Sequence, residues 1–352
     1  MQDQQNELIN RVLAELDDQI NVFNNSSLSR ETIGKFWFDN IDKAYKKLKN
    51  DPVNLVNFRR NNLVVADYPS GTSNISEIYY KMCRLLPSFL QPHPAIKACD
   101  ETYERIEDLD LRELVLANPI SNVGAPLCYV KNGIRYTRRW IRHIYFLSLF
   151  KQYLESHIHE IKTILDIGSS YGAFPYLMKK NYPDSHFIMI DLPEQNTVAH
   201  YYLKSEMPDC RIAGFEEIRE VGTITRDFVE SYDFILVPCF YLDRLDGGIA
   251  DLVTNFVSLP EMSREWFDLY LQSAVFTTSK YFYTVNPVVK EENTGVKITV
   301  LDMPFNDYEQ IHFDICPFFQ WQYLGKHVRG LYYRSEKVPR TVNYEYIGKR
   351  KG

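Results

Sequence analysis

The chain is predicted to fold as an α/β protein, a Rossmann-like parallel sheet with helices on both faces, preceded by a helical N-terminal domain. Three observations carry this. From residue 161 onward, short apolar runs (IKTILDIG, HFIMID, YDFILVP, DLVTNF, KYFYTVN) alternate with segments of helical period, and strands apolar along their whole length belong to parallel sheets buried on both faces. Before residue 125, apolar residues recur at three- and four-residue spacing. At 352 residues, the chain has the length of about two domains.

Leu8, Val12, Leu13, Leu16 and Ile20 form one helical face, and Ile33, Phe36, Trp37, Ile41, Tyr45 and Leu48 form a second that stops at Asp51-Pro52. A loop rich in Asn, Gly, Ser and Pro around 61–74 precedes a third helical segment, 75–90, which ends in LPSFLQPHP. Residues 1–125 are therefore expected as the helical domain. Apolar and aromatic residues repeat every three or four positions over 137–159, so 126–160 is expected as a connecting helix. Residues 161–352 are expected as the sheet domain, with helices at 173–181, 194–205 and 262–272 between its strands. VKITVL, HFDICPFF and VRGLYYRS have no helices between them and are expected as antiparallel additions at one sheet edge.

Hydrophobic residues make up 45% and charged residues 24%, the proportions of a folded globular chain. A net charge of -6 supplies no general field for nucleic acid, so any anion site is local. The six cysteines have neither CxxC nor metal-finger spacing and are expected as reduced thiols. The first twenty residues carry acids and amides where a secretion signal needs basic residues and an apolar run, and no stretch reaches about 18 apolar residues. A cytoplasmic protein without membrane insertion is expected, and a homo-oligomer is compatible with this composition.

The chemical signal is ILDIGSSYGAF. A buried strand ends at Asp166 and Ile167, turns through Gly168, Ser169, Ser170, Tyr171 and Gly172, and enters a helix. Glycine lets such a turn take tight dihedrals, and the helix N-terminus presents free N–H groups. Asp191 ends the next strand 23 residues after Gly168, where a carboxylate can accept hydrogen bonds from both hydroxyls of a ribose. A dinucleotide turn, G-x-G-x-x-G/A, would use positions 168, 170 and 173, and an S-adenosylmethionine turn, D/E-x-G-x-G-x-G, would use 166, 168, 170 and 172. Ser170 departs from both. Asp166 favours the second, because a carboxylate there attracts an ammonium and repels a pyrophosphate.

On ILDIGSSYGAFPYLMKK, FIMIDLPEQ with AHYYL, FILVP and NFVSLPEM, the chain resembles the sugar O-methyltransferases of bacterial polysaccharide and glycolipid gene clusters. These form a branch of the class I S-adenosylmethionine-dependent methyltransferases. The resemblance covers about residues 125–290. It implies a seven-stranded class I methyltransferase sheet, S-adenosylmethionine as cofactor, a sugar or glycan acceptor, and an N-terminal domain that shapes the acceptor site. It further implies that Asp166, Gly168 and Gly172 form the methionine end of the pocket, with Ser169 and Ser170 lining the turn. Asp191 would hold the ribose, Leu192 would lie against the adenine, Pro238 and Cys239 would stand near the adenine edge, and Asn255 would sit beside the sulfonium. A nicotinamide-dependent sugar oxidoreductase using the same turn, and a non-catalytic subunit with a vestigial pocket, are the alternatives.

A sugar hydroxyl is a poor nucleophile while protonated, and a positioned base contributes about 10²- to 10⁴-fold. Glu261 in SLPEM follows the fourth strand and is the first candidate for base or acceptor clamp; its other role would be a capping box with Ser258, itself a candidate acceptor contact. His143 is the second candidate, since its helix runs into the first strand; the alternative is a core histidine. Arg135, Arg138, Arg139 and Arg142 are expected on one helical face. There Arg139 and Arg142 would clamp a phosphate or uronate of the acceptor, or the face would simply be solvated. His312 and Asp314 lack a third ligand nearby in sequence, so no metal is expected.

Overall fold

Two hydrophobic clusters lie on opposite faces of one eight-stranded sheet. The computed structural model describes residues 2–26, 30–33, 35–61, 63, 94–291, 297–318, 320–328, 332–339 and 342–352. The helical segment expected at 75–90 lies outside them, as do Cys83 and part of VRGLYYRS.

The sheet comprises β1 (Thr163–Ile167), β2 (His186–Asp191), β3 (Ile212–Ala213), β4 (Phe234–Pro238), β5 (Leu252–Phe256), β6 (Tyr281–Pro287), β7 (Tyr308–Ile315) and β8 (Asn343–Arg350). Their spatial order is β7-β8-β6-β5-β1-β2-β4-β3. β3 through β6 run parallel with β1 among them, whereas β8 pairs antiparallel with β6, and β7 antiparallel with β8. From β1 the chain builds outward on one side through β2, β3 and β4, then returns to β5 on the other. The strand order therefore reverses between β1 and β5, the place where doubly wound sheets bind ligands at their carboxyl ends.

Alternation along each strand feeds the two clusters. Ile164, Phe187, Met189, Leu236 and Leu252 belong to one; Leu165, Ile167, Ile188, Ile190, Val237 and Val253 belong to the other. Against the first pack α4 (Arg138–Tyr153), α5 (Ala173–Asn181) and α6 (Pro193–Glu206), and against the second packs α7 (Arg264–Gln272). The N-terminal helices α1 (Gln2–Asn24) and α2 (Lys35–Asn50) and the later α3 (Pro94–Asp108) share these clusters. α1 lies along α6, where Gln5 donates to the Tyr201 hydroxyl at 2.9 Å and Glu15 stands 3.5 Å from His200.

Five differences separate the fold from the sequence expectation. Residues 126–160 open with a hairpin, Tyr129–Lys131 against Ile134–Tyr136, turning through Asn132 and Gly133 in left-handed conformations; only then does α4 begin, capped by Thr137, whose side chain accepts from Trp140 N. Arg135 therefore lies on a strand and donates to the Ile120 carbonyl at 3.2 Å, away from the helical face shared by the other arginines. The sheet has eight strands where seven were expected, the extra one being the two-residue β3 at the edge. β8, unrecognised in the sequence, is the buried bridge between the parallel and antiparallel parts. Lys297–Thr299 and Trp321–Val328 form separate two-stranded ladders with Val289–Glu291 and Tyr332–Pro339.

Candidate active site

The turn after β1 takes left-handed backbone at three positions. Gly168 has φ +72° and Gly172 φ +83°. A Cβ on Gly168 would overlap Ser258 Oγ and lie 2.5 Å from Ser258 Cβ. Ser170, the residue that departs from both glycine patterns, also has φ +54°. Its backbone takes the left-handed conformation usually left to glycine, at a cost of about 1–2 kcal/mol. A Ser170→Gly protein is therefore expected to gain up to about 1 kcal/mol in denaturant unfolding, the strain relief less the added chain entropy. A loss of stability would show that the serine side chain outweighs the strain.

Two carboxyls lie at the ends of the adjacent strands β1 and β2. Asp166, 3% exposed, accepts from Thr254 Oγ1 at 2.7 Å across the β1–β5 pair. Burial pushes its pKa up to about 7, against the Thr254 hydrogen bond and with a contribution from Asp191. Asp191 accepts from Ser170 N and Leu192 N, each at 2.7 Å, which ties the end of β2 to the turn. Burial pushes its pKa up to about 6 despite both hydrogen bonds.

These raised values set a pH dependence. The folded chain holds more protons than the unfolded one between about pH 4 and 7, so these two acids make its stability fall as pH rises through that window. A cation bound against Asp166 favours the ionised form and expels the proton. Affinity for S-adenosylhomocysteine, which carries an ammonium, is expected to weaken about tenfold from pH 8 to pH 6. Titration calorimetry across that range checks this, and a flat profile would separate the ammonium from Asp166.

On the other side of the strand reversal, Asn255 is fully buried at the end of β5, opposite Ile167. Its Nδ2 donates to the Ile167 carbonyl at 2.8 Å and to Ser258 Oγ, and its Oδ1 accepts from Asn286 Nδ2 at 2.8 Å and Leu259 N at 3.3 Å. Ser258 Oγ donates to the same Ile167 carbonyl at 3.0 Å. Both side chains thus clamp the end of β1 from β5. Between them Val257 has φ +64°, an outlier for a β-branched residue of the kind found where geometry is over-determined.

Because Ser258 Oγ bonds to Ile167, the expected capping box with Glu261 does not form. Glu261 closes the 3₁₀ turn Leu259–Glu261 and is half-buried. The following helix starts at Arg264, two residues later than expected, because Ser263 is its cap and accepts from Trp266 N.

α4 passes over the turn. Arg139 Nη1 lies 3.4 Å from Ser170 Oγ, and Arg139 Nε is buried with no hydrogen-bond partner. One helical turn on, His143 Nδ1 is likewise buried and unsatisfied, its ring 6.5 Å from that of Phe174 in the first turn of α5. Burial, together with the cations of Arg139, Arg142 and Arg59, holds this imidazole well below its usual pKa and therefore neutral. Arg59, fully buried, donates to the Ser121 carbonyl at 3.1 Å and lies 5.3 Å over the ring of Tyr171 in the turn.

On the β2–β4 side, Pro238 pairs in register with Asp191, Cys239 follows it buried, and Leu192, half-buried, is the N-cap residue of α6. Tyr270 of α7 is buried close enough to Cys239 and Asp191 for both to raise its pKa, after burial itself. The structure thus forms two contact groups at the strand ends, Arg139–Ser170–Asp191 with Pro238 beside Asp191, and Asn255–Ser258 against Ile167 and Gly168, while Asp166 is held by Thr254. Arg59, Thr254, Asn196 and Tyr270 were not singled out from the sequence. Asn196 had a signal, the polar run EQN after Asp191: it is buried on α6, with its Oδ1 unsatisfied. Arg59 had none, being about a hundred residues from the turn. His312 pairs with Glu345 at 3.0 Å and stacks on Tyr153 with ring centroids 4.3 Å apart, and no group of three metal-ligating side chains occurs among the described residues. No described helix is long and apolar enough to cross a membrane.

No family model and no curated protein matches this chain. Among solved structures it is similar to the methyltransferase domain of bacterial CtHen1, at 11% identity and TM-score 0.35, covering 60% of this chain and 99% of that one. It is similar to magnesium protoporphyrin IX methyltransferase from Synechocystis PCC 6803 with bound SAM, at 10% identity and TM-score 0.35, covering 60% and 80%. It is also similar to EvdMO1, at 12% identity and TM-score 0.35, covering 69% of this chain and 47% of that one. Likenesses this distant carry no argument about activity.

Proposed function

We propose that this protein is an S-adenosylmethionine-dependent O-methyltransferase acting on a hydroxyl of a sugar or glycan. The observation that carries the cofactor is the placement of two acids, Asp166 buried at the end of β1 beside the strand reversal and Asp191 half-buried at the end of the neighbouring β2; burial disfavours the bare Asp166 carboxylate, and a cation beside it offsets that cost. A pyrophosphate against Asp166 would be repelled, which disfavours a nicotinamide dinucleotide. The unsatisfied Ser169 Oγ, Asn196 Oδ1 and Arg139 Nε are further polar atoms fit for an adenosyl amino acid.

S-adenosylmethionine, when bound, supplies an electrophilic methyl group on a sulfonium. Asp166 would attract its ammonium and Asp191 would accept from its ribose. The clamp of Asn255 and Ser258 on Ile167 keeps the end of β1 and the turn in place, and rate in a displacement depends on such positioning. Of the two candidate bases, Glu261 on the turn after β5 is favoured, because burial and three neighbouring arginine cations disfavour protonation of the His143 imidazole. The sugar acceptor rests on the resemblance of ILDIGSSYGAF, FIMIDLPEQ and NFVSLPEM to sugar O-methyltransferases. A cytoplasmic location and the N-terminal helical segment as acceptor-shaping domain belong to the same reading.

Incubation with methyl-labelled S-adenosylmethionine and a glycan extract of the host, followed by mass analysis, tests the proposal. A saccharide that gains label and the mass of one CH₂ supports it. Label appearing only in nucleic acid, protein or non-sugar metabolites would overturn the sugar assignment.

A further inference from the structure

We propose that Arg139 is the counter-ion of the cofactor's carboxylate, and so belongs to the cofactor site; the acceptor clamp expected of it from the sequence falls away. This rests on the S-adenosylmethionine reading and extends it. That cofactor ends in an amino acid, a zwitterion with an ammonium and a carboxylate on one carbon, and a site built only of acids would repel half of it. The acids, Asp166 and Asp191, stand at the ends of β1 and β2.

The complementary charge touches the same turn at Ser170. Arg139 Nη1 stands 3.4 Å from Ser170 Oγ, a long contact that leaves the guanidinium open to a stronger acceptor. Its Nε is buried without a partner, and it forms no ion pair with any carboxylate among the described residues. A buried, unsatisfied guanidinium nitrogen costs free energy until an acceptor reaches it. Ser169 Oγ, on the turn residue before Ser170, is a second buried polar atom with no partner and is able to donate to the same carboxylate. The surroundings of His143, one helical turn further along α4, are cationic on account of Arg139, Arg142 and Arg59. A carboxylate is favoured beside these cations for the same electrostatic reason that an ammonium is favoured beside Asp166, and arginine binds a carboxylate through paired N–H groups.

Two ligands separate this role from the others. S-adenosylhomocysteine carries the amino acid, whereas 5′-methylthioadenosine keeps adenine, ribose and sulfur but lacks it. Calorimetric affinities of both are measured for the wild type, Arg139→Gln and Arg139→Lys. Arg139→Gln is expected to lose about tenfold or more for S-adenosylhomocysteine and nothing for methylthioadenosine, with Arg139→Lys in between. Retained methylthioadenosine binding doubles as the control for folding. Equal loss for both ligands would make Arg139 a structural residue, and no loss for either would return it to the acceptor; each result overturns the proposal. A wild-type protein that bound neither nucleoside would instead fail the cofactor reading beneath it.

Discussion

An Asp191→Ala protein is expected to bind S-adenosylhomocysteine about a hundredfold more weakly than the wild type while retaining its fold. The magnitude is the lower end of what two hydrogen bonds between ribose hydroxyls and a carboxylate supply, each worth about 1.5–3 kcal/mol because the acceptor is charged. Asp191 also accepts from Ser170 N and Leu192 N at 2.7 Å. Removing it therefore loosens the turn and adds a stability cost of about 1–2 kcal/mol. Calorimetry and denaturant unfolding separate the two effects. Unchanged affinity would place the ribose elsewhere.

Gly168→Ala is expected to have the largest effect on stability, a loss of about 2–4 kcal/mol. Two costs combine at this position. The backbone has φ +72°, which an L-residue adopts poorly, and the new methyl would overlap the Ser258 side chain. Ser258 has no room to yield, since its hydroxyl donates to the Ile167 carbonyl and accepts from Asn255. In the double variant Gly168→Ala with Ser258→Gly the overlap disappears and only the backbone cost of about 1–2 kcal/mol remains, apart from the cost of losing Ser258 itself. Denaturant unfolding of the two single variants and the double variant gives the coupling between the sites. If the effects were additive, the clamp across the strand reversal would not be the tight contact described.

The parallel half of the sheet was legible because burial on both faces forces continuous apolar runs, and these runs end where the strands end, at Ile167, Asp191 and Pro238. The turn was legible through Gly168 and Gly172, and Ser170 shows why the pattern is imperfect: the backbone conformation is kept while the residue changes. β8 was not legible. NYEYIGKR mixes polar and aromatic residues, and Glu345 is buried only because Tyr145 donates to its carboxylate at 2.8 Å and His312 lies 3.0 Å from it. No local pattern announces a buried acid satisfied from two distant elements. The arginine cluster was half legible, since Arg138, Arg139 and Arg142 do lie on one helix and Arg139 and Arg142 both act on His143, yet the Asn132-Gly133 turn places Arg135 on a strand. The position of Arg59 over Tyr171 is a product of tertiary packing alone.

The proposed cofactor site is the set of charged and polar side chains at the ends of β1, β2 and β5, Asp166, Asp191 and Asn255, with Arg139 beside the turn. A calorimetric titration of the wild-type protein at pH 8 with S-adenosylhomocysteine and, separately, with NADH tests it most directly. Micromolar binding of the first with no heat from the second is the predicted result. Binding of NADH with none of S-adenosylhomocysteine would contradict the account.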